Sequence, residues 1–338
     1  MEKTKYNFKQ ISNSRNVIMG IATILILIFH SQTLYLHKVF NSNIIQNLIT
    51  FFRDTGNVGV DIFLILSGLG LYYSFSKDSN IKNFYKKRLL RILPATIIVA
   101  ILTTALMEGS GFNYFLRRIT LITLFTGEDV DFWYFSLIII LYLLYPLFHK
   151  VIKKFDFKGM MFLIIPVLII NHCIRVFDIE LYNNIEIAIT RIPVFIAGIY
   201  LGKKSSEDFK IDKKILIPLL LLLGILILLL YIGVFKKYAF VIRYVYFFIS
   251  IPIVILLSFI IKNNDNIFER LFIDIGKYSM EVYLIYEYLV KNCVNIFVYH
   301  DKYNLAYYIS VIILTFILAH VLKQISNNIS SKLVKNKD

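Results

Sequence analysis

The stretch Val17-Ile18-Met19-Gly20-Ile21-Ala22-Thr23-Ile24-Leu25-Ile26-Leu27-Ile28-Phe29-His30-Ser31-Gln32-Thr33-Leu34-Tyr35-Leu36 decides the fold class. It holds no Asp, Glu, Lys or Arg. A helix that crosses a bilayer needs about 20 mostly apolar residues, and this run supplies them. It is too long for a signal-peptide core and lacks a small-residue cleavage site, so it reads as a retained span. Comparable runs follow at 58–76, 92–108, 132–148, 160–177, 188–202, 214–235, 239–261, 275–299 and 304–323, giving about ten spans in all. Pro94, near the start of the third run, suits a first helical turn. Residues 113–126, with Arg117 and Arg118 among apolar neighbours, fit an amphipathic helix lying at the interface.

Composition points the same way. The 338 residues are 58% hydrophobic and 17% charged, whereas soluble domains carry about 25% charged residues. The net charge of +15 does not indicate nucleic acid, because the basic residues fall in short loops between apolar runs. With the N-terminus inside, Lys86-Lys87-Arg88-Leu89-Leu90-Arg91, Lys150, Lys153, Lys154, Lys203, Lys204 and the C-terminal lysines all lie on the inner face. The acidic loop with Glu128, Asp129 and Asp131 falls outside. The expectation is an all-α, polytopic helix bundle with both termini cytoplasmic. It is a single membrane domain over 1–338, with short tails at 1–15 and 325–338. Cys173 and Cys293 fall inside spans, offer no disulfide framework or metal-ligand spacing, and read as buried small apolar residues. No internal repeat of the transporter kind is present.

Ionisable groups inside spans mark candidate chemistry, because hydrocarbon penalises them. His30 lies deep in the first span, roughly 20 Å along it at about 1.5 Å per residue, in the outer half of the bilayer. A neutral imidazole can take a proton from a hydroxyl and return it to a leaving group; it can also serve only in helix packing. Asp61, near the outer end of the second span, can orient His30, pair with an arginine, or sit as a tolerated charge at a helix N-terminus. Ser67-Gly68 is a small pair that permits close helix approach. Arg88 and Arg91, three apart, share one helical face. Two guanidinium forks on one face suit a diphosphate or a nucleotide phosphate, and they equally satisfy the positive-inside rule. His172, Arg175, Arg191, Arg243, Glu287 and Lys291 also fall inside spans, mostly toward the outer face, which fits a polar cavity open to that side. Trp133, at the same level, suits a sugar face or an interfacial anchor. His149, His320, His37 and His300 read as solvated or interfacial.

Several segments together resemble one family. They are Gly20-Ile21-Ala22 through Phe29-His30; Gly59-Val60-Asp61-Ile62-Phe63 with Ser67-Gly68; Tyr85-Lys86-Lys87-Arg88-Leu89-Leu90-Arg91-Ile92-Leu93-Pro94; Trp133-Tyr134-Phe135 to Tyr145-Pro146; Arg191-Ile192-Pro193-Val194-Phe195 with Gly198; and Ile275-Gly276-Lys277-Tyr278-Ser279 with Tyr283-Leu284. In this order they resemble the acyltransferase-3 family of integral membrane acyltransferases, which O-acylate bacterial surface polysaccharides and related glycans. The resemblance implies that His30 is the catalytic histidine and that Arg88 and Arg91 form a cytoplasmic pair serving acyl-CoA. The sequence departs from the family pattern at Met19, where an arginine is usual and for which Arg15 is a substitute one turn earlier. It departs again at Ile138, often glutamate, and at Tyr286, often histidine.

The combined expectation is a multi-pass O-acyltransferase, most simply an O-acetyltransferase, of the bacterial cytoplasmic membrane. His30 and Asp61 would be catalytic, and Arg88, Arg91 and Arg15 would hold acyl-CoA (acetyl-CoA) as co-substrate, with no bound cofactor. Trp133, Arg191 and Glu287 would line a cavity for a cell-surface glycan or lipid-linked sugar. The alternative is an exporter of a polysaccharide or lipid-linked sugar, using the same cavity without an acyl donor.

Overall fold

The computed structural model describes residues 5–30, 42–106, 111–120, 122–127, 133–235, 239–261, 266–286 and 305–335. These residues are almost wholly helical, as the apolar runs require. In hydrocarbon every backbone N–H and C=O must be satisfied within the protein, and a helix does this locally. Seven helices among the described residues are long and apolar enough to cross a membrane, and Arg15–His30 is a shorter apolar helix.

The helices are α1 (Lys9–Asn13), α2 (Arg15–His30), α3 (Asn43–Thr55), α4 (Val58–Lys77), α5 (Ile81–Leu106), α6 (Phe112–Ile119), α7 (Ile122–Thr126), α8 (Trp133–Phe177), α9 (Ile179–Ile189), α10 (Ile192–Ser206), α11 (Leu216–Tyr231), α12 (Ala239–Ile260), α13 (Ile267–Lys277) and α14 (Leu305–Lys335). Residues 279–286 are helical as well. The polar amino-terminal stretch carries structure of its own. Strand β1 (Lys5–Asn7) pairs antiparallel with β2 (Lys210–Asp212), Tyr6 opposite Ile211. Tyr6 is fully buried and its hydroxyl is hydrogen-bonded to Ser258.

The 45 residues of α8 would extend about 67 Å if straight, more than twice the thickness of a hydrocarbon core. They are two helices joined at Asp156, whose backbone (φ 54°, ψ −129°) is not helical. A Cβ on Gly159 would lie 2.7 Å from the carbonyl oxygen of Val151. Eight residues along a straight helix are about 12 Å apart, so the chain folds back here. The two runs expected at 132–148 and 160–177 are therefore distinct arms. The reversal is fixed by Asp156, whose carboxylate oxygens each lie 2.9 Å from an ammonium, Lys203 and Lys204.

The described chain divides into two compact units. The first comprises Met1–Ile24, Asn57–Asn80 and Leu143–Lys277. Its centre is the pair α4 and α10, packed backbone to backbone. A Cβ on Gly68 would come within 2.5 Å of the Phe195 carbonyl oxygen, and one on Gly198 within 2.4 Å of that of Ile65. The small residue expected at Gly68 does permit this approach. In lipid, where burying apolar side chains gives little driving force between helices, such contact is a main source of association. His149, expected to be solvated, is instead buried against the rings of Tyr72, Phe75 and Tyr145. It follows Tyr145 by one turn of α8, so both face the same aromatic cluster. Cys173, expected to be buried, is exposed. Its arm of α8 also exposes Phe162, Ile165, Ile169 and Val176, the surface expected of a helix side facing lipid.

The second unit comprises Leu25–Gly56, Ile81–Tyr142 and Tyr278–Asp338. Here α5 packs against α14. Helix α5 starts at Ile81, so Pro94 lies inside it rather than in its first turn. Proline has no N–H to offer the carbonyl four residues back. That carbonyl, on Leu90, accepts instead from Ser330 Oγ of α14 at 2.7 Å. The amphipathic segment at 113–126 divides into α6 and α7. Within it Arg118 is buried and donates to Thr103 and Tyr114, a pairing its position in an apparent surface helix did not suggest.

Candidate active site

His30 is the last described residue of α2 and belongs to the second unit. Its imidazole meets the ring of Tyr286 edge to face, with centroids 6.4 Å apart, and also lies beside Phe29. Tyr286 is fully buried, and its hydroxyl donates to the carbonyl of Leu27 at 3.1 Å. That carbonyl lies one turn before His30, so Tyr286 is tied to the same helix whose side chain it faces. Gly56 closes on α2 nearby: its Cβ would meet the Leu25 carbonyl oxygen at 2.4 Å.

Tyr283, three residues before Tyr286, shares a face with it. Its ring lies 5.4 Å from that of Tyr134, which stands edge-on to Trp133. Trp133 is buried at the start of α8, and so is more enclosed than an interfacial anchor. The helical stretch 279–286 thus touches the surroundings of both His30 and Trp133.

Arg88 and Arg91 lie within α5, so the shared face expected from their spacing is real. Arg88 is half-buried over the ring of Phe84, its Cζ 5.7 Å from the centroid, and Arg91 is exposed. One residue that the sequence did not single out joins them. Glu281 is only 6% exposed and lies in the field of Lys323 and Arg91. Lys323 Nζ stands 4.6 Å from the centre of the Tyr278 ring, and the Tyr278 hydroxyl is 2.9 Å from His320 Nδ1. Glu281 was hidden among apolar residues of an expected span; a carboxylate inside such a run was the available signal.

Asp61 and Arg191 belong to the first unit. Of the roles open to Asp61, the structure displays the arginine pair: Oδ1 lies 3.4 Å from Arg191 Nε, and both side chains are buried. Asp61 stands in the first turn of α4, and Arg191 immediately precedes α10, so the packing of these two helices brings the charges together. Arg191 also donates to Asn57 Oδ1 at 2.8 Å and to the Ile187 carbonyl at 2.7 Å. Arg243 and Glu186 continue the network at 3.4 Å. Arg15, in the same unit, donates from Nε to the Leu66 carbonyl at 3.1 Å and lies over Gly70, where a Cβ would come within 3.1 Å of its guanidinium. Glu287 and Lys291 lie outside the described residues.

The second unit therefore gathers His30, Arg88, Arg91 and Trp133, and the first gathers Arg15, Asp61 and Arg191. His30 has the chemistry of a proton acceptor beside a buried aromatic ring. The arginines have that of phosphate recognition.

Comparison with known proteins adds one match. A family model described as an acyltransferase domain matches residues 16–323, a range that includes His30, Asp61, Arg88, Arg91, Trp133 and Arg191 and starts just after Arg15. No curated protein and no solved structure matches the chain. With nearly its whole length covered, a bundle of apolar helices around it and an imidazole among them, the chain belongs to the acyltransferase-3 family of membrane acyltransferases.

Proposed function

We propose that this acyltransferase carries an acyl group, in the simplest case acetyl, from acyl-CoA at the cytoplasmic face to a hydroxyl of a cell-surface or lipid-linked glycan. Its setting is the bacterial cytoplasmic membrane. The observation that supports this reading is the stretch 279–286. Glu281, at one end, lies in the field of Arg91, and Tyr286, at the other, packs against His30. Five residues of helix span about 7.5 Å, so one short element is common to the basic cluster and the imidazole.

In this reading Arg88 and Arg91 bind the phosphates of the donor as guanidinium forks. The neutral imidazole of His30 accepts the proton of the glycan hydroxyl as its oxygen attacks the thioester carbonyl. The carbon–sulfur bond breaks, and the departing thiolate takes the proton back from the imidazolium. Two steps through an acyl-imidazole use the same residues. Asp61 and Arg191 keep α4 and α10 in register, which makes Asp61 a positioning residue. Membership in an acyltransferase family favours transfer over export.

The test is transfer of labelled acetyl from acetyl-CoA to candidate glycans by the purified chain in nanodiscs. His30→Ala should abolish transfer while the protein inserts normally, and Arg88→Ala with Arg91→Ala should raise the KM for acetyl-CoA. Full activity of the His30 variant would remove the histidine from the mechanism. In cells, loss of glycan esters at unchanged glycan yield indicates transfer, and loss of the glycan itself indicates export.

A further inference from the structure

Helix α3 (Asn43–Thr55) is divided into two faces. Ile44, Ile45, Leu48 and Phe52 recur on one side at helical spacing, and Asn43, Asn47, Thr50 and Asp54 recur on the other. Ile44 is 73% exposed, Leu48 51% and Phe52 49%, and no residue of the helix is buried. The protein itself therefore leaves the apolar side uncovered. A helix of 13 residues is marginal in water on its own, and such helices are normally held by burying that side.

The surroundings of α3 identify what receives it. Gly56 follows Thr55, and Asn57 alone separates Gly56 from α4, a helix long and apolar enough to cross the membrane. Three Cα steps of about 3.8 Å keep the last residue of α3 within about 11 Å of the first residue of α4. Gly56 also lies against α2, where a Cβ would meet the Leu25 carbonyl oxygen at 2.4 Å and Phe29 Cβ at 3.1 Å. Leu25, Phe29 and Gly56 belong to the same unit as α3. The C-terminal end of α3 is thus tied to the end of a spanning helix and to the turn of α2 that carries His30.

The faces of the helix exclude two other occupants. Arg53 and Asp54 are the only charges on α3 and pair at 2.9 Å, so the helix offers no net charge to an acidic or basic partner. Helices that associate within lipid do so largely through small residues that let backbones approach. The apolar side of α3 carries Ile, Ile, Leu and Phe, so a second copy gains no such contact there. Lipid requires neither charge nor small residues, because an amphipathic helix binds a bilayer surface in proportion to the apolar area it inserts.

We propose that α3 is an interfacial helix lying along the membrane at the His30 end of α2, with Ile44, Ile45, Leu48 and Phe52 set into the lipid and Asn43, Asn47, Thr50 and Asp54 facing water. Its partner is the lipid surface, and phosphatidylcholine alone suffices because the helix carries no net charge.

The test is site-directed spin labelling of the full chain in phosphatidylcholine nanodiscs, with Cys173→Ala and Cys293→Ala and one cysteine at a time introduced on α3. Power saturation compares access of oxygen, which concentrates in lipid, with access of a nickel chelate, which stays in water. The oxygen-to-nickel ratio should be about threefold or more higher for Ile44→Cys, Leu48→Cys and Phe52→Cys than for Asn43→Cys, Asn47→Cys and Asp54→Cys. High nickel access at all six positions places the helix in water and overturns the proposal. Low access of both reagents on the apolar side reveals a protein cover, a second copy included, and overturns it too. A measurement on the unaltered chain guards against a variant that fails to fold. Phosphatidylcholine with a photoactivated carbene source near the top of its acyl chain should label the tryptic peptide 39–53, which contains the apolar side of α3. Label on α11 with none on that peptide overturns the proposal as well.

Discussion

Tyr286 stands edge-on to His30, with ring centroids 6.4 Å apart, and is anchored to the helix of that histidine by its bond to the Leu27 carbonyl. The tyrosine is thus a support for the imidazole. Tyr286→Phe keeps the ring and loses the anchor, and should lower stability by about 0.5–1.5 kcal/mol with a few-fold loss of kcat. Tyr286→Ala opens a cavity and should lower stability by about 3–5 kcal/mol. Thermal unfolding in detergent and steady-state transfer assays read both. A Phe variant as inactive as His30→Ala would give the hydroxyl a chemical role instead.

Asp61 and Arg191 are buried together, so deleting one leaves the other charged and unpaired. Asp61→Ala and Arg191→Ala should each destabilise the protein by about 3–5 kcal/mol, whereas Asp61→Leu combined with Arg191→Met should recover most of that loss. The recovery is the informative measurement. A double variant that is stable yet inactive would show that the pair acts in catalysis as well as in packing.

Ser330 serves the carbonyl that Pro94 leaves open. Ser330→Ala should cost about 1–3 kcal/mol in the wild-type background. It should cost much less when Pro94→Ala restores the helical donor to Leu90. A double-mutant cycle followed by unfolding measures the coupling, and additive effects would break the proposed link between the two residues.

Burial raises the Tyr6 hydroxyl from its ordinary value of 10.0 to about 12. A group that holds its proton more tightly when folded contributes fully below the unfolded value and loses that contribution as pH rises through the folded one. The wild type should therefore lose about 2–3 kcal/mol more than Tyr6→Phe across that interval. Equal alkaline profiles for the two proteins would show that Tyr6 ionises as an exposed phenol does.

Much of this was legible along the chain. The run 17–36, with Phe29-His30 inside it, read as a span with an ionisable ring, and the three-residue spacing of Arg88 and Arg91 identified a shared face. Gly68 announced close packing without naming its partner. Other features could not be read locally. Pro94 looked like a helix start because its missing donor is harmless there, and only the reach of Ser330 from α14 makes an interior position tolerable. The exposed Ile44, Leu48 and Phe52 of α3 recur at four-residue spacing in a segment that lies between two of the expected spans. Glu281 looked like an isolated charge, since its neighbours come from other helices, and nothing local to Arg118 named Thr103 of α5 as its partner.

The sequence by itself determined the class of structure. Long apolar runs must close their backbone hydrogen bonds within each segment, so a membrane chain of this composition becomes a bundle of helices. The tertiary structure decided which side chains meet: Asp61 with Arg191, Tyr286 with His30, Asn171 with Tyr244. Apolarity and spacing are properties of a single helix, whereas partners depend on which faces pack. In a bilayer that choice comes from close contacts at residues such as Gly68 and Gly198, which no local pattern assigns to one another.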